Sequence, residues 1–468
     1  MHYFIKTLGC AMNISDSQRL ASFLESKGFS ESAKIDTADL VIFNTCGIRQ
    51  AAENRVYSFI NNLRKINKKT KIIVTGCISH RNDVQKRLKS KVDLFTEIKD
   101  FPNSVSSILY QVSCMNSKTQ NTKHKTPTLN APHSDAGGQN TKNIFNKENI
   151  DYLSINPKQN NNFQALIPIM TGCNNFCSYC VVPYARGREI SRPADEIIKE
   201  IKSLLKNGYT MITLLGQNVN SYESKVYQAK KSTKKEDKTT DFAKLLLMIN
   251  KIPGNFWITF VSSHPKDMSD ELIETATKCK KICEWVHLPV QAGDDEILRR
   301  MNRKYTQKHY LERIRKIKSS FKKYKPGTPF SISSDIIVGF PGETKKQFQQ
   351  SEIIMQKAKF DMVYFGQFSP RPGTAAWKMK DNVSSEEKTS RENVLNEILK
   401  KTAHSNNKKY IGHEMEVLIE KEKKGEYFGK TRTMKNIKIS SKKNNLIGKI
   451  VKVRITKAGI WNLEGILT

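Results

Sequence analysis

The sequence predicts an α/β protein in three parts. These are an amino-terminal open α/β domain, a partial (β/α)6 barrel and a small carboxyl-terminal antiparallel β-barrel. Three observations carry this reading. Near the amino terminus, short apolar segments each run up to a cysteine and give way to helical patterns. From 163 to 400 a strand–helix rhythm repeats, and after about 403 it changes to short strands separated by polar turns.

In residues 1–114, the segments Tyr3 to Leu8, Leu40-Val41-Ile42-Phe43 and Ile72-Ile73-Val74 read as buried parallel strands. Cys10, Cys46 and Cys77 lie just past their carboxyl ends, and helical patterns follow, as in Arg19 to Leu24 before Gly28. In an open α/β sheet those ends lie side by side, so residues remote in sequence converge there. Gly9, Gly47 and Gly76 are expected to let the backbone pass close to a bulky group. Three independent buried thiols are the alternative, but the repeated placement favours a three-cysteine cluster. Residues 115–160 are rich in Asn, Lys, Ser and Thr and are expected to be an exposed, mobile connection. His124 and His133 fall inside it and are not expected to bind metal.

In residues 161–402 the candidate strands are Leu166–Met170, Met211–Leu215, Phe256–Val261, Trp285–Pro289, Ser331–Val338 and Met362–Phe368. Amphipathic helices lie between them, as at Ile197, Ile198, Ile201, Leu204 and Leu205. Six units are too few to close an eight-stranded barrel, so an open one is expected, with its active mouth at the carboxyl ends of the strands. There lies Cys173-Asn174-Asn175-Phe176-Cys177-Ser178-Tyr179-Cys180. Three thiolates at this spacing can hold three irons of a four-iron cube and leave the fourth open to a small molecule. A closed electron-transfer cluster normally takes four protein ligands. Half of a zinc site is the alternative. A disulfide framework fits poorly, because the nine cysteines are an odd number and the start MHYFIKTLGC does not look like a secretory leader.

Other residues at strand ends are candidates for cofactor or substrate contacts. Gly216, Gln217 and Asn218 follow the second strand; Ser262, Ser263, His264, Gln291, Ser334 and Asp335 sit at or beyond later ends. Local turn and cap bonding is the competing account for each of them. Arg186, Arg188 and Arg192 could fork onto a phosphate or carboxylate. Ser178 and Tyr179, within the cysteine loop, are placed to shield a reactive centre. Ser224 to Thr240 is expected to be a disordered loop. Gly339 to Thr344 reads as a tight turn with a helix-start acid at Glu343, and it lacks the Gly-Lys-Ser/Thr ending of a triphosphate loop. Cys114, Cys279 and Cys283 are assigned structural roles.

Residues 403–468 hold four short candidate strands: Met415–Glu420, Tyr427–Thr431, Lys449–Ile455 and Ile460–Ile466. Residues 401–468 carry 16 Lys and Arg against 6 Asp and Glu. With Tyr427, Phe428 and Trp461, such a basic barrel could serve as a nucleic-acid platform; a merely soluble basic surface is the alternative. The whole chain has a formal net charge of +34, which favours a polyanionic partner. No apolar run approaches the roughly 18 residues of a membrane span. The expected location is the cytoplasm.

The C-x3-C-x2-C run is the spacing of the radical S-adenosylmethionine (SAM) enzymes, which this segment resembles. Thr7-Leu8-Gly9-Cys10-Ala11-Met12-Asn13, Asn44-Thr45-Cys46-Gly47-Ile48-Arg49 and Thr75-Gly76-Cys77 resemble the cluster domain of the methylthiotransferases. Val182 to Pro193 and Leu214 to Tyr222 sharpen the match toward the branch acting on N6-isopentenyladenosine, and residues 403–468 resemble a TRAM domain. The likeness covers nearly the whole chain outside 115–155. One departure, Ala11 in place of the commonest Gln, leaves all six thiols intact.

The resemblance implies two 4Fe-4S clusters, on Cys10, Cys46, Cys77 and on Cys173, Cys177, Cys180, with SAM as methyl donor and radical source. It places Gly216, Gln217 and Asn218 against the methionine amine; Ser334 and Asp335 are expected as further cofactor contacts from their strand-end position alone. No side chain is expected to be catalytic, since the clusters and SAM carry the chemistry. The implied partner is a tRNA anticodon stem-loop whose isopentenyladenosine at position 37 gains a 2-methylthio group. An external electron donor and a sulfur donor are also implied, and the expected assembly is a monomer. The two clusters would have to come near one another. Two alternatives stay open: a methylthiotransferase for N6-threonylcarbamoyladenosine or a ribosomal-protein aspartate, and a non-enzymatic metal-containing RNA-binding protein.

Overall fold

The structure is a computed structural model, and it describes residues 1–47, 50–120, 150–225, 239–441 and 443–468. Its chain divides into two compact units, the second holding both the partial barrel and the terminal barrel. One is Met1–Asn160 with Tyr184–Arg186; the other is Asn161–Pro183 with Gly187–Thr468.

The first unit is built on five parallel strands: β1 (His2–Leu8), β2 (Ser30–Glu31), β3 (Leu40–Thr45), β4 (Lys71–Gly76) and β5 (Leu94–Phe95). Their order is β2-β1-β3-β4-β5. β3 is apolar throughout because both faces are covered. Leu40 and Ile42 enter one core with Leu20, Phe23 and Phe101, while Val41 and Phe43 enter another with Val56, Ile60 and Val84. The two-residue strands β2 and β5 were not foreseen, being too short for a pattern. The interval 115–160, expected as an exposed connection, is structured at both ends. The helix Ser106–Gln120 runs into it, and Tyr152 and Leu153 are buried against the β-sheet core. An apolar pair just ahead of the next strand was enough to hold that end down. His124 and His133 lie outside the described residues.

The second unit opens with β6 (Gln164–Pro168), followed by the short antiparallel pair β7 (Met170–Thr171) and β8 (Ile190–Ser191) around the cysteine loop. Next come β9 (Met211–Leu215), the antiparallel pair β10 (Glu223–Lys225) and β11 (Thr239–Asp241), then β12 (Trp257–Phe260), β13 (Trp285–His287), β14 (Ser331–Val338) and β15 (Met362–Gln367). The Ser224–Thr240 loop is thus anchored at both ends by a hairpin; 226–238 lie outside the described residues. Two parallel three-stranded sheets, β12-β9-β6 and β13-β14-β15, are joined by a parallel bridge between Ile258 and Ile282. The result is the six-stranded partial barrel the sequence predicted, wrapped by helices such as Ala194–Lys206 and Gln307–Tyr324.

The carboxyl-terminal strands β16 (Glu414–Lys423), β17 (Glu426–Thr431), β18 (Asn436–Ser440), β19 (Ile450–Ala458) and β20 (Asn462–Leu467) close into a barrel. It has five strands where four were foreseen, because β18 alternates only two buried isoleucines, Ile437 and Ile439, with polar residues. β18 pairs parallel with β20, so the barrel is not wholly antiparallel. It is fused to the partial barrel. Met211, Trp257, Cys283 and Leu418 share one core, Ser331 Oγ donates to the Thr433 carbonyl at 2.6 Å, and Lys435 pairs with Asp361 at 2.8 Å. Cys283 has the packing role expected of it, as does Cys279 in the main core.

Candidate active site

In the first unit, strand register puts the three cysteines just past neighbouring strand ends. Leu8 is level with Thr45, and Thr45 with Gly76. Cys46 and Cys77 are therefore each one residue past adjacent aligned ends, and Cys10 is two past its own. The amide of Cys46 donates to the Leu8 carbonyl at 2.9 Å, and that of Cys77 to Thr45 at 2.8 Å. β1 and β3 are also where the strand order reverses, the point at which open α/β sheets bind ligands.

Cys10 caps the helix Ala11–Ser26, whose amide dipoles favour a sulfur anion there. Its edge is open to solvent, yet the protein around it withdraws water and pushes its thiol up, with Arg186 acting the other way. Arg186, which belongs to this unit, pairs with the buried Asp16 at 2.5 Å. Its role is thus an internal ion pair, not the free phosphate contact the sequence suggested.

Asn13 and Asn44 were missed as site residues, although both stood in the recognised strings. Asn13 Nδ2 donates to Asn44 Oδ1 at 2.9 Å, and Asn44 Nδ2 returns to the Asn13 carbonyl at 2.8 Å. Asn13 Oδ1 also accepts from the Cys10 amide at 3.2 Å. This pair fixes the Cys10 turn to the end of β3. The adjacent glycines have a nearer cause than cofactor access. A Cβ at Gly9 would collide with Asn13, and one at Gly76 (φ +83°) with the Thr45 backbone.

In the second unit, the cysteine loop leaves β7 at the barrel mouth. Gly172 precedes it with φ +80°, and a Cβ there would collide with the Arg188 carbonyl. Asn302 Nδ2 donates to the carbonyls of Asn175 (3.1 Å) and Phe176 (2.9 Å), and Ser178 N donates to the Met301 carbonyl at 3.0 Å. Cys180 N donates to the Cys177 carbonyl at 2.9 Å. Arg188 stacks on Phe176 at 4.5 Å. Burial pushes the Cys173 thiol up to about 11, so loading a metal there must release protons. Arg303 Nη1 lies 3.4 Å from Cys177 Sγ, a partner that sequence reasoning did not find.

Around this loop, several buried polar atoms have no hydrogen-bond partner: Ser178 Oγ, Gln217 Oε1, Asn218 Oδ1, Ser263 Oγ and His264 Nε2. They lie on neighbouring connections, since Val219 N donates to the Ser262 carbonyl at 3.3 Å. Burial, then Arg303 and Lys266, push the His264 imidazole down to about 2, so it is neutral. Its Nδ1 accepts from the Lys266 amide at 3.2 Å, which leaves Nε2 as a buried N–H donor. Orphaned buried polar groups are costly unless a ligand satisfies them.

Gly216 and Asn218 sit at this mouth as expected. Asn218 Nδ2 is held by Asp267 at 2.8 Å, and a Cβ at Gly216 would strike Met170. Asp335 lies 3.6 Å from His287 Nε2. Ser334 differs. Its hydroxyl donates to the Leu288 carbonyl, accepts from Val290 N and meets Tyr310 Oη, which uses its capacity inside the sheet. Arg192 is likewise occupied, by the Pro168 carbonyl and Glu200. Glu343 is no helix-start acid: it is buried, accepting from Gly339 N and Arg391, while Thr344 caps the helix. In the terminal barrel Tyr427 is core, Phe428 is half-buried and Trp461 is exposed, so Trp461 is the best placed of the three to meet a large ligand.

The chemistry of each triad, three cysteine sulfurs, suits an iron–sulfur cluster. Among the described residues, no group of three or more His, Cys, Asp or Glu forms a cage for a single ion.

Partial barrel and mouth cysteines define a radical SAM enzyme, and residues 167–352 match the Radical SAM superfamily. Residues 2–97 match the uncharacterized protein family UPF0004, and 408–468 match the TRAM domain. The fold is also that of the radical S-adenosylmethionine methyltransferase TsrM from Kitasatospora setae (TM-score 0.52, 15% identity, 80% of this chain and 74% of that one). The chain belongs to the tRNA-2-methylthio-N(6)-dimethylallyladenosine synthase family. It is 38% identical to the synthase of Clostridium botulinum strain Hall, over 99% of this chain and 96% of the relative. It is also 38% identical to that of Carboxydothermus hydrogenoformans, over 99% of both. No helix among the described residues is long and apolar enough to cross a membrane.

Proposed function

We propose that this chain converts N6-isopentenyladenosine next to the tRNA anticodon into its 2-methylthio derivative, in the cytoplasm. The observation that carries this is the division of six cysteines between two strand-end sites, one in each unit. A non-enzymatic RNA-binding protein has no use for two such sets. When loaded, the barrel-mouth triad with SAM supplies a carbon radical, and the first triad supplies the sulfur that receives a methyl group from SAM.

The chain's own residues do the rest. Asn302 and the Met301 carbonyl hold the Cys173–Cys180 loop in place. Gln217, Asn218, Ser263 and the neutral His264 N–H offer polar contacts for SAM or the base, and Asp335 offers a carboxylate for a ribose or amine. Asn13 and Asn44 set the first triad. The basic terminal barrel, with Trp461, holds the RNA backbone and a base. An external reductant and sulfur donor complete the reaction, and one chain suffices for it.

The test is nucleoside analysis of tRNA from cells lacking the protein. Isopentenyladenosine should accumulate and its methylthio derivative vanish, while a parallel loss confined to the threonylcarbamoyl series would overturn the substrate assignment.

A further inference from the structure

Arg303 is a buried cation without a carboxylate. Its Nε donates to Tyr305 Oη at 2.9 Å, Nη2 to the Pro289 carbonyl at 3.1 Å, and Nη1 to Cys177 Sγ at 3.4 Å. The residue is 6% exposed, and no ion pair reaches it among the described residues. By contrast, Arg192 and Arg391, also buried in this unit, each face a carboxylate at 2.7 Å. A guanidinium withdrawn from water needs a counter-charge or pays a large desolvation cost. Among the described residues, the anionic candidate in contact with it is the sulfur of Cys177.

The segment around it is fixed independently. Asn302 takes φ +56° and clamps two carbonyls of the cysteine loop. Tyr305 is anchored in turn to the Val290 carbonyl at 2.7 Å. The guanidinium therefore has little freedom to turn elsewhere.

We propose that Arg303 is a positioning residue for the iron–sulfur group on Cys173, Cys177 and Cys180, supplying its counter-charge and a hydrogen bond to the Cys177 sulfur that eases its reduction. This rests on the ligand assignment proposed above. One-electron reduction adds negative charge to the group and to its sulfurs; the electron comes from the external reductant, and no proton or bond need move at Arg303. A fixed cation and a hydrogen bond to a ligand sulfur both stabilise the reduced form. No motif signals this role, because Arg303 lies 126 residues from Cys177 in sequence.

The full chain, anaerobically reconstituted as parent, R303Q and R303K, is titrated by electron paramagnetic resonance against solution potential, with iron and sulfide counted for each. A C173A/C177A/C180A protein identifies which signal belongs to this triad. R303Q should hold parent iron but need a more negative potential, with the reduction equilibrium about tenfold less favourable, about 59 mV for one electron. R303K keeps the charge without the fork and should shift by about threefold. Parent potentials in both variants overturn the proposal while leaving the ligand assignment intact. If R303Q unfolds, R303K decides by the same criterion. If the triple cysteine variant keeps every signal and all the iron, the ligand assignment itself fails.

Discussion

Arg432 forks onto Glu284: Nε donates to Oε2 at 2.8 Å and Nη2 to Oε1 at 3.0 Å. Arg432 belongs to the terminal barrel and Glu284 to the turn entering β13. The same guanidinium caps the carbonyls of Lys280 (2.7 Å) and Ile282 (2.9 Å) and lies 5.6 Å from the Trp257 ring. Lys325 completes the group, 2.7 Å from Glu284. A basic side chain that composition alone would assign to RNA binding is instead a rivet between two barrels.

E284Q should therefore destabilise the second unit by about 3 kcal/mol, the cost of breaking a buried pair and leaving its cation unmatched. Urea unfolding at neutral pH measures it. Burial alone would raise the Glu284 carboxyl, but Arg432 and Lys325 outweigh it and hold it below the ordinary 4.5. A depressed carboxyl stabilises the fold above its unfolded value and loses that contribution as pH falls through the folded one. The gap between parent and E284Q should thus be constant from pH 7 to about 5 and narrow below about 4.5.

G172A tests the backbone under the radical site. The residue has φ +80° and no room for a methyl group. We expect a cost of about 1–3 kcal/mol and loss of iron from the Cys173–Cys180 loop. An unchanged iron content would show that the loop tolerates another path.

Removing each cysteine triad separately should divide the iron evenly. The reconstituted parent should carry about eight irons with matching sulfide, and C10A/C46A/C77A about four. Stoichiometric zinc without sulfide would favour a simple binding module.

W461A and Y427A should part company. Trp461 is exposed, so W461A should weaken tRNA binding by about 1–3 kcal/mol, as loss of one stacked base does, and leave the unfolding midpoint alone. Tyr427 is buried, with its hydroxyl on the Lys443 carbonyl at 2.9 Å. Y427A should lower stability by about 3–5 kcal/mol. Filter-binding and thermal melts on the two variants separate the effects.

The sequence by itself determined the elements that announce themselves locally. Ser331–Val338 and Met211–Leu215 are strands at their expected bounds because a continuous apolar run between turn residues admits little else. The Cys173–Cys180 spacing is a property of adjacent residues, and Cys10, Cys46 and Cys77 were legible because each ends a strand. What only the tertiary structure decided was partnership across long separations. It made Ser334 a sheet residue, tied Arg186 to Asp16, left His264 neutral with its donor free, and brought Arg303 to Cys177. A polar side chain is the same letter whether it faces a ligand, a carbonyl or water. The choice depends on low-dielectric contacts between segments that no local pattern records.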